Sequence, residues 1–178
     1  MYDGQVFPNQ QEKASLRTFL KCTRVSKRNE APILTLDNIY GTTWLGGVYS
    51  LGTVFRLDSS GKKKTLHSFG GGSDGANPLA ARVLDQAGNM HGTTPSGGAY
   101  YFGTLFTIDT GGRESVLYSF TGGTDGAYPY SHLLLDVSGK LYGTASQGGC
   151  CGQGTVFEFS NGILTALYGF SAASDGIR

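Results

Sequence analysis

Short apolar runs of four to six residues recur along this chain, each bounded by glycine-rich polar segments, and nearly all of them read as β-strands. In the central stretch the runs fall at 82–85, 89–94, 104–109 and 115–120. Between the first pair lies Gln86-Ala87-Gly88-Asn89 and between the last pair Thr110-Gly111-Gly112-Arg113. Both have the form of short hairpin loops, as do Ser59-Ser60-Gly61-Lys62 and Val137-Ser138-Gly139-Lys140, because glycine supplies the positive φ such turns need. The pattern predicts four antiparallel strands in up-and-down order. A weak helical period appears only at residues 10–21.

The pattern then repeats. Gly52-Thr53-Val54-Phe55 returns as Gly103-Thr104-Leu105-Phe106 and as Gly154-Thr155-Val156-Phe157, 51 residues apart each time. Tyr40-Gly41-Thr42, His91-Gly92-Thr93 and Tyr142-Gly143-Thr144 keep the same interval. Two further markers recur in the same order, at intervals of 51 and then 50: His67-Ser68-Phe69, Tyr118-Ser119-Phe120 and Tyr168-Gly169-Phe170, then Ser73-Asp74-Gly75, Thr124-Asp125-Gly126 and Ser174-Asp175-Gly176. Four strands in about fifty residues match the unit of a β-propeller. The expected fold is all-β, a partial β-propeller-like array of about three four-stranded blades of 51 residues. The units run at about 33–80, 81–130 and 131–178, and together they form a single repeat domain, 33–178.

Residues 1–32 differ in kind. The first thirty hold six Lys/Arg against three Asp/Glu and only one glycine. Leu16-Arg17-Thr18-Phe19 nevertheless lines up with Leu66-His67-Ser68-Phe69, so this segment reads as a degenerate strand of a preceding unit carrying a basic arm. At the other end the repeat stops in mid-unit. Some three units do not close a ring of four to eight blades. The expectation is therefore a fragment of a longer array, an assembly such as two copies completing a ring, or an open arc capped by residues 1–30.

Composition narrows the function classes. Glycine at 29 of 178 without a three-residue period excludes collagen, and ten Tyr with ten Phe exclude a disordered chain. A net charge of +1 gives no electrostatic case for nucleic acid. No apolar run approaches the ~18 residues of a membrane span, and no apolar h-region of a secretory signal follows the start.

Leu-Tyr-Gly-Thr, Gly-Gly, Gly-Thr-Val-Phe, Tyr-Ser-Phe and Ser-Asp-Gly in this order resemble the GloVer tandem repeat, the family named from Gloeobacter and Verrucomicrobia and also called choice-of-anchor repeat proteins. The resemblance covers residues 33–178 well and 1–32 poorly. It implies an exported or cell-surface bacterial protein of propeller-like fold, and it implies no established catalytic residues.

Candidate chemistry sits in two places. The first is the Asp-Gly turn with Asp74, Asp125 and Asp175. A carboxylate there accepts backbone amides and stabilises the turn; it is also a hard oxygen ligand for a calcium-type cation where neighbours contribute more oxygens. The second is the loop after the Tyr-Gly-Thr strand, which varies most between units and carries Trp44, Tyr49, Tyr100 and Tyr101. A constant frame with variable aromatic loops is the pattern of a binding face for carbohydrate or protein, and packing between blades accounts for the same residues. No metal spacing and no paired carboxylates are present, and no Ser/His/Asp set can be assembled. His67 and His91 stand where other units have tyrosine, which reads as packing variation. Cys22, Cys150 and Cys151 make no disulfide framework; the adjacent pair reads as two buried thiols in preference to a strained vicinal disulfide, and Cys22 could pair with either only if the fold brings them together. The leading reading is a non-catalytic repeat scaffold or binding module, with no cofactor required. The alternatives are part of a polysaccharide-acting enzyme and a self-assembling propeller fragment.

Overall fold

A computed structural model describes residues 33–34, 38–171 and 175. The segment read as a degenerate strand and basic arm, the weak period at 10–21 and Cys22 lie outside the described residues.

Among the described residues twelve strands form three four-stranded antiparallel sheets. The first holds β1 (Ile33–Leu34), β2 (Asn38–Thr43), β3 (Thr53–Asp58) and β4 (Lys63–Ser68). The second holds β5 (Ala80–Leu84), β6 (Met90–Thr94), β7 (Thr104–Ile108) and β8 (Glu114–Ser119). The third holds β9 (Leu134–Leu135), β10 (Leu141–Ala145), β11 (Thr155–Ser160) and β12 (Ile163–Gly169). Each is a simple meander, and each carries a β-bulge at the same place, at Val54/Phe55, Leu105/Phe106 and Val156/Phe157. Among the described residues the only helical element is a 3-10 turn at Gly72–Asp74, and no helix is long and apolar enough to cross a membrane.

The strands expected in the central unit are present with ends moved by one or two residues. The aspartates at the strand ends explain part of the shift. Asp85 does not continue β5; its side chain folds back to accept the amides of Ala87 and Asn89, at 2.9 and 2.8 Å. Asp58 and Asp136 do the same for Ser60 and Lys62, and for Ser138 and Lys140. Asp109 accepts from Arg113. The β11–β12 connection is tighter: Asn161 at φ 52 and Gly162 at φ 80 form a two-residue Asn-Gly hairpin between paired Ser160 and Ile163.

The core lies between sheets. Val54 and Phe69 of the first sheet pack with Met90, Phe106 and Ile108 of the second. Leu105 and Phe120 of the second pack with Leu133, Leu141, Phe157 and Phe159 of the third. One buried contact repeats at each junction: Phe69 meets Phe106 edge-on at 5.1 Å between ring centroids, and Phe120 meets Phe157 at 5.2 Å. A β-sheet with two apolar faces buries both only by stacking on neighbours, and the second sheet does so.

Backbone hydrogen bonds reinforce the same junctions. The Asp-Gly turn of one unit docks onto the loop of the next, with Ala76 N to Ser96 O at 2.8 Å and Gly98 N to Gly72 O at 2.6 Å. One unit later Ala127 N to Gln147 O and Gly149 N to Gly123 O, each 2.8 Å, repeat the arrangement. The chains approach so closely that a Cβ on Gly97 or Gly148 would lie 2.7 or 2.8 Å from the Cα of Gly75 or Gly126.

Candidate functional site

The loop expected to vary between units joins the second and third strands of each sheet and occupies equivalent places in all three. Its aromatics are well exposed: Tyr49 at 62%, Tyr100 at 56% and Tyr101 at 72%. Trp44 is half-buried, and its carbonyl accepts a hydrogen bond from the Asn77 side chain at 3.0 Å. Tyr101 holds φ 66, a left-handed conformation unusual for a bulky residue. Ser50 at φ 59 and Gly152 at φ 76 occupy the same repeat position, so the loop backbone is constant while its side chain changes from Ser to Tyr to Gly.

In the third unit the same loop carries Cys150 and Cys151. The expectation of buried thiols is corrected: both are exposed and free. Their Sγ atoms lie 3.1 Å apart, and Cys150 also points at the Gly169 carbonyl. The position that Tyr100 exposes in the second unit exposes Cys151 in the third. The Cys150 thiol beside it pushes the Cys151 thiol upward in pKa.

The three turn aspartates divide into two kinds of surroundings. All three hold a turn: Asp74 Oδ2 accepts Gly70 N at 2.6 Å, Asp125 Oδ2 accepts Thr121 N at 2.7 Å and Asp175 Oδ2 accepts Ser171 N at 2.6 Å. All three also meet the aromatic residue two positions before the core phenylalanine. Tyr118 donates to Asp125 at 3.1 Å and Tyr168 to Asp175 at 2.8 Å. Burial, and then the Asp125 charge, push the Tyr118 hydroxyl up to about 12. At the first junction the partner is His67, with Nε2 at 3.0 Å from Asp74 Oδ1. His67 is thus more than a packing variant of tyrosine, since it keeps the polar contact. His91 behaves likewise, reaching Asp85 at 3.3 Å where Tyr142 reaches Asp136 at 3.4 Å.

A residue that the repeat pattern alone did not single out completes the first junction. Glu114 comes from β8 of the second sheet and approaches His67 and Asp74, the three offering ligand atoms within 4.8 Å of one another. Its Oε1 is buried and accepts no hydrogen bond. Burial, and then the nearby Asp74 charge, push the carboxyl up to about 7, against an opposing pull from His67. Comparing the units would have pointed to it: Glu114 pairs with Ile108 as Leu164 pairs with Phe159, so a carboxylate stands where the next junction has leucine. Of the three turn aspartates, only Asp74 belongs to such a group of three among the described residues.

A model of the Gloeobacter/Verrucomicrobia repeat matches residues 3–178. The chain belongs to that family. The match of this Gloeobacter/Verrucomicrobia repeat protein extends through the basic first segment, which the quoted motifs covered poorly. No curated protein matches the chain.

Proposed function

We propose that this repeat protein is a non-catalytic binding module whose three sheets stack as successive blades of a propeller-like array. The loops at 44–51, 95–102 and 146–153 display its ligand-contacting residues. The observation that carries the reading is the exposure of Tyr49, Tyr100 and Tyr101 on the same loop of two successive units, the second of which is held by backbone hydrogen bonds from the first unit. Flat exposed aromatics on a rigid mount suit stacking on sugar rings, and extracellular or cell-surface placement accords with such a ligand. A polysaccharide array probed with the full chain tests this. Tyr100→Ala and Tyr49→Ala should each weaken retention on the positive glycans about tenfold, with unfolding transitions unchanged because both side chains are exposed. Failure of the intact chain to be retained by any glycan, or unchanged retention by both variants, would overturn it.

A second reading, self-association, is favoured by a separate observation. The last strand of the third sheet exposes Ile163 at 67% and Leu167 at 52%.

A further inference from the structure

We propose that His67, Asp74 and Glu114 form a binding site for a divalent transition-metal ion of the zinc class at the junction of the first and second sheets. Two departures from the repeat meet there. Histidine replaces the tyrosine found at Tyr118 and Tyr168, and glutamate replaces the leucine found at Leu164. Either alone is an ordinary substitution. Together they place an imidazole nitrogen and a carboxylate oxygen on opposite sides of one inter-sheet gap, beside a turn aspartate present in every unit.

The energetics favour an ion there. A carboxylate oxygen buried without a donor is costly, and a well-packed leucine is available at the equivalent place, so the Glu114 Oε1 orphan is unfavourable unless something fills it. Asp74 is already anchored through Oδ2 to Gly70, leaving Oδ1 directed at His67. The His67 ring is held edge-on against Phe69 at 4.8 Å. The His67 and Asp74 ligand atoms already stand 3.0 Å apart and all three lie within 4.8 Å of one another, so the carboxylate of Glu114 has to close on the other two for an ion bonded at about 2.0–2.2 Å. The His67 and Asp74 side chains are 21% and 26% exposed, which leaves an entry path and a place for water as fourth ligand. One imidazole and two carboxylates suit zinc, whereas calcium and magnesium take oxygen ligands in larger number.

The second junction supplies the control, because it shows a folded version without the trio. His67→Tyr and Glu114→Leu convert the first junction to the pattern of Tyr118 and Leu164. Titration calorimetry with zinc chloride would be run on the full chain with Cys22, Cys150 and Cys151 replaced by serine, which removes thiolate sites. One ion should bind per chain and raise the melting temperature. His67→Tyr and Glu114→Leu should each weaken zinc binding by about 100-fold, and calcium or magnesium should not compete. Glu114→Gln, isosteric with the native side chain, serves as a second test should the leucine variant fold poorly. Absence of saturable zinc binding in the parent, or equal binding by His67→Tyr and Glu114→Gln, would overturn the site.

Discussion

At the scale of the residue, the aspartates of the hairpin loops do more than polar composition implies. Ser60 holds the Asp58 carboxyl low, the Arg113 amide holds Asp109 low, and Ser138 holds Asp136 low. At Asp85 burial works against ionisation, and hydrogen bonds from Asn89 and His91 outweigh it. A carboxylate whose folded pKa lies below its unfolded value stabilises the fold above the unfolded value, near 3.8, and that contribution disappears as pH falls through the folded value. Replacing Asp58, Asp109 and Asp136 by asparagine should therefore lower stability at pH 7 and flatten the loss as pH falls below the unfolded value of 3.8. Urea unfolding at a series of pH values reads both effects; a variant whose acid profile parallels the parent would refute the assignment. Tyr101 offers a second residue-scale expectation. Its left-handed backbone strains any side chain, while Gly152 shows that glycine fits the same turn. Tyr101→Gly should raise stability by about 1 kcal/mol through relief of that strain, as measured by chemical denaturation. The same change should weaken glycan retention, so stability and binding move in opposite directions.

At the scale of the element, glycine sets how close two units come. Gly148 combines φ +76 with a backbone approach that leaves a Cβ only 2.8 Å from the Gly126 Cα. Gly148→Ala should cost about 1–3 kcal/mol by overpacking, and more than alanine at Gly162, whose Cβ would meet nothing within 4 Å. Thermal melts of the two variants make the comparison, and equal costs would show that close approach is not what requires Gly148. The strands and hairpins were legible in the sequence because strand periodicity and turn glycines are local signals that three copies reinforce. The Asn161-Gly162 hairpin was not singled out, although Tyr118 and Tyr168 stand 50 rather than 51 residues apart and so mark a unit one residue shorter. The docking of the Asp-Gly turn onto the next loop was not legible. It is made by backbone amides and carbonyls, and no side chain marks it. The trio at the first junction was half legible: Asp74 and His67 stood out as a motif position and a substitution, but Glu114 sits 40 residues beyond Asp74 and meets them only when two sheets stack. The exposure of Cys150 and Cys151 was missed because free cysteine is usually buried, and loop placement overrides that tendency here.

At the scale of the whole molecule, the stacking rule exposes an imbalance. Phe69 and Phe120 are fully buried because Phe106 and Phe157 lie opposite them. Phe170 holds the same position in the third unit and is only half-buried, and Ile163 and Leu167 on the adjoining strand are exposed. In the first sheet Phe55 holds the position of Phe106 and Phe157, with the Lys63 amine 5.1 Å from its ring centroid. A second copy brought up with its first sheet against the third sheet would repeat the junction already made twice within the chain. Such a head-to-tail contact joins unlike faces and closes into a ring when two copies meet at both ends. Light scattering on the full chain across a concentration series should then show the mass rising toward that of a dimer. Leu167→Lys should shift the curve toward monomer without lowering the melting temperature, since an exposed side chain is replaced by a charge that a stacked sheet would have to bury. A constant monomer mass for the parent, or an unchanged curve for Leu167→Lys, would remove the third sheet as an assembly face and leave its apolar strand to be covered in some other way.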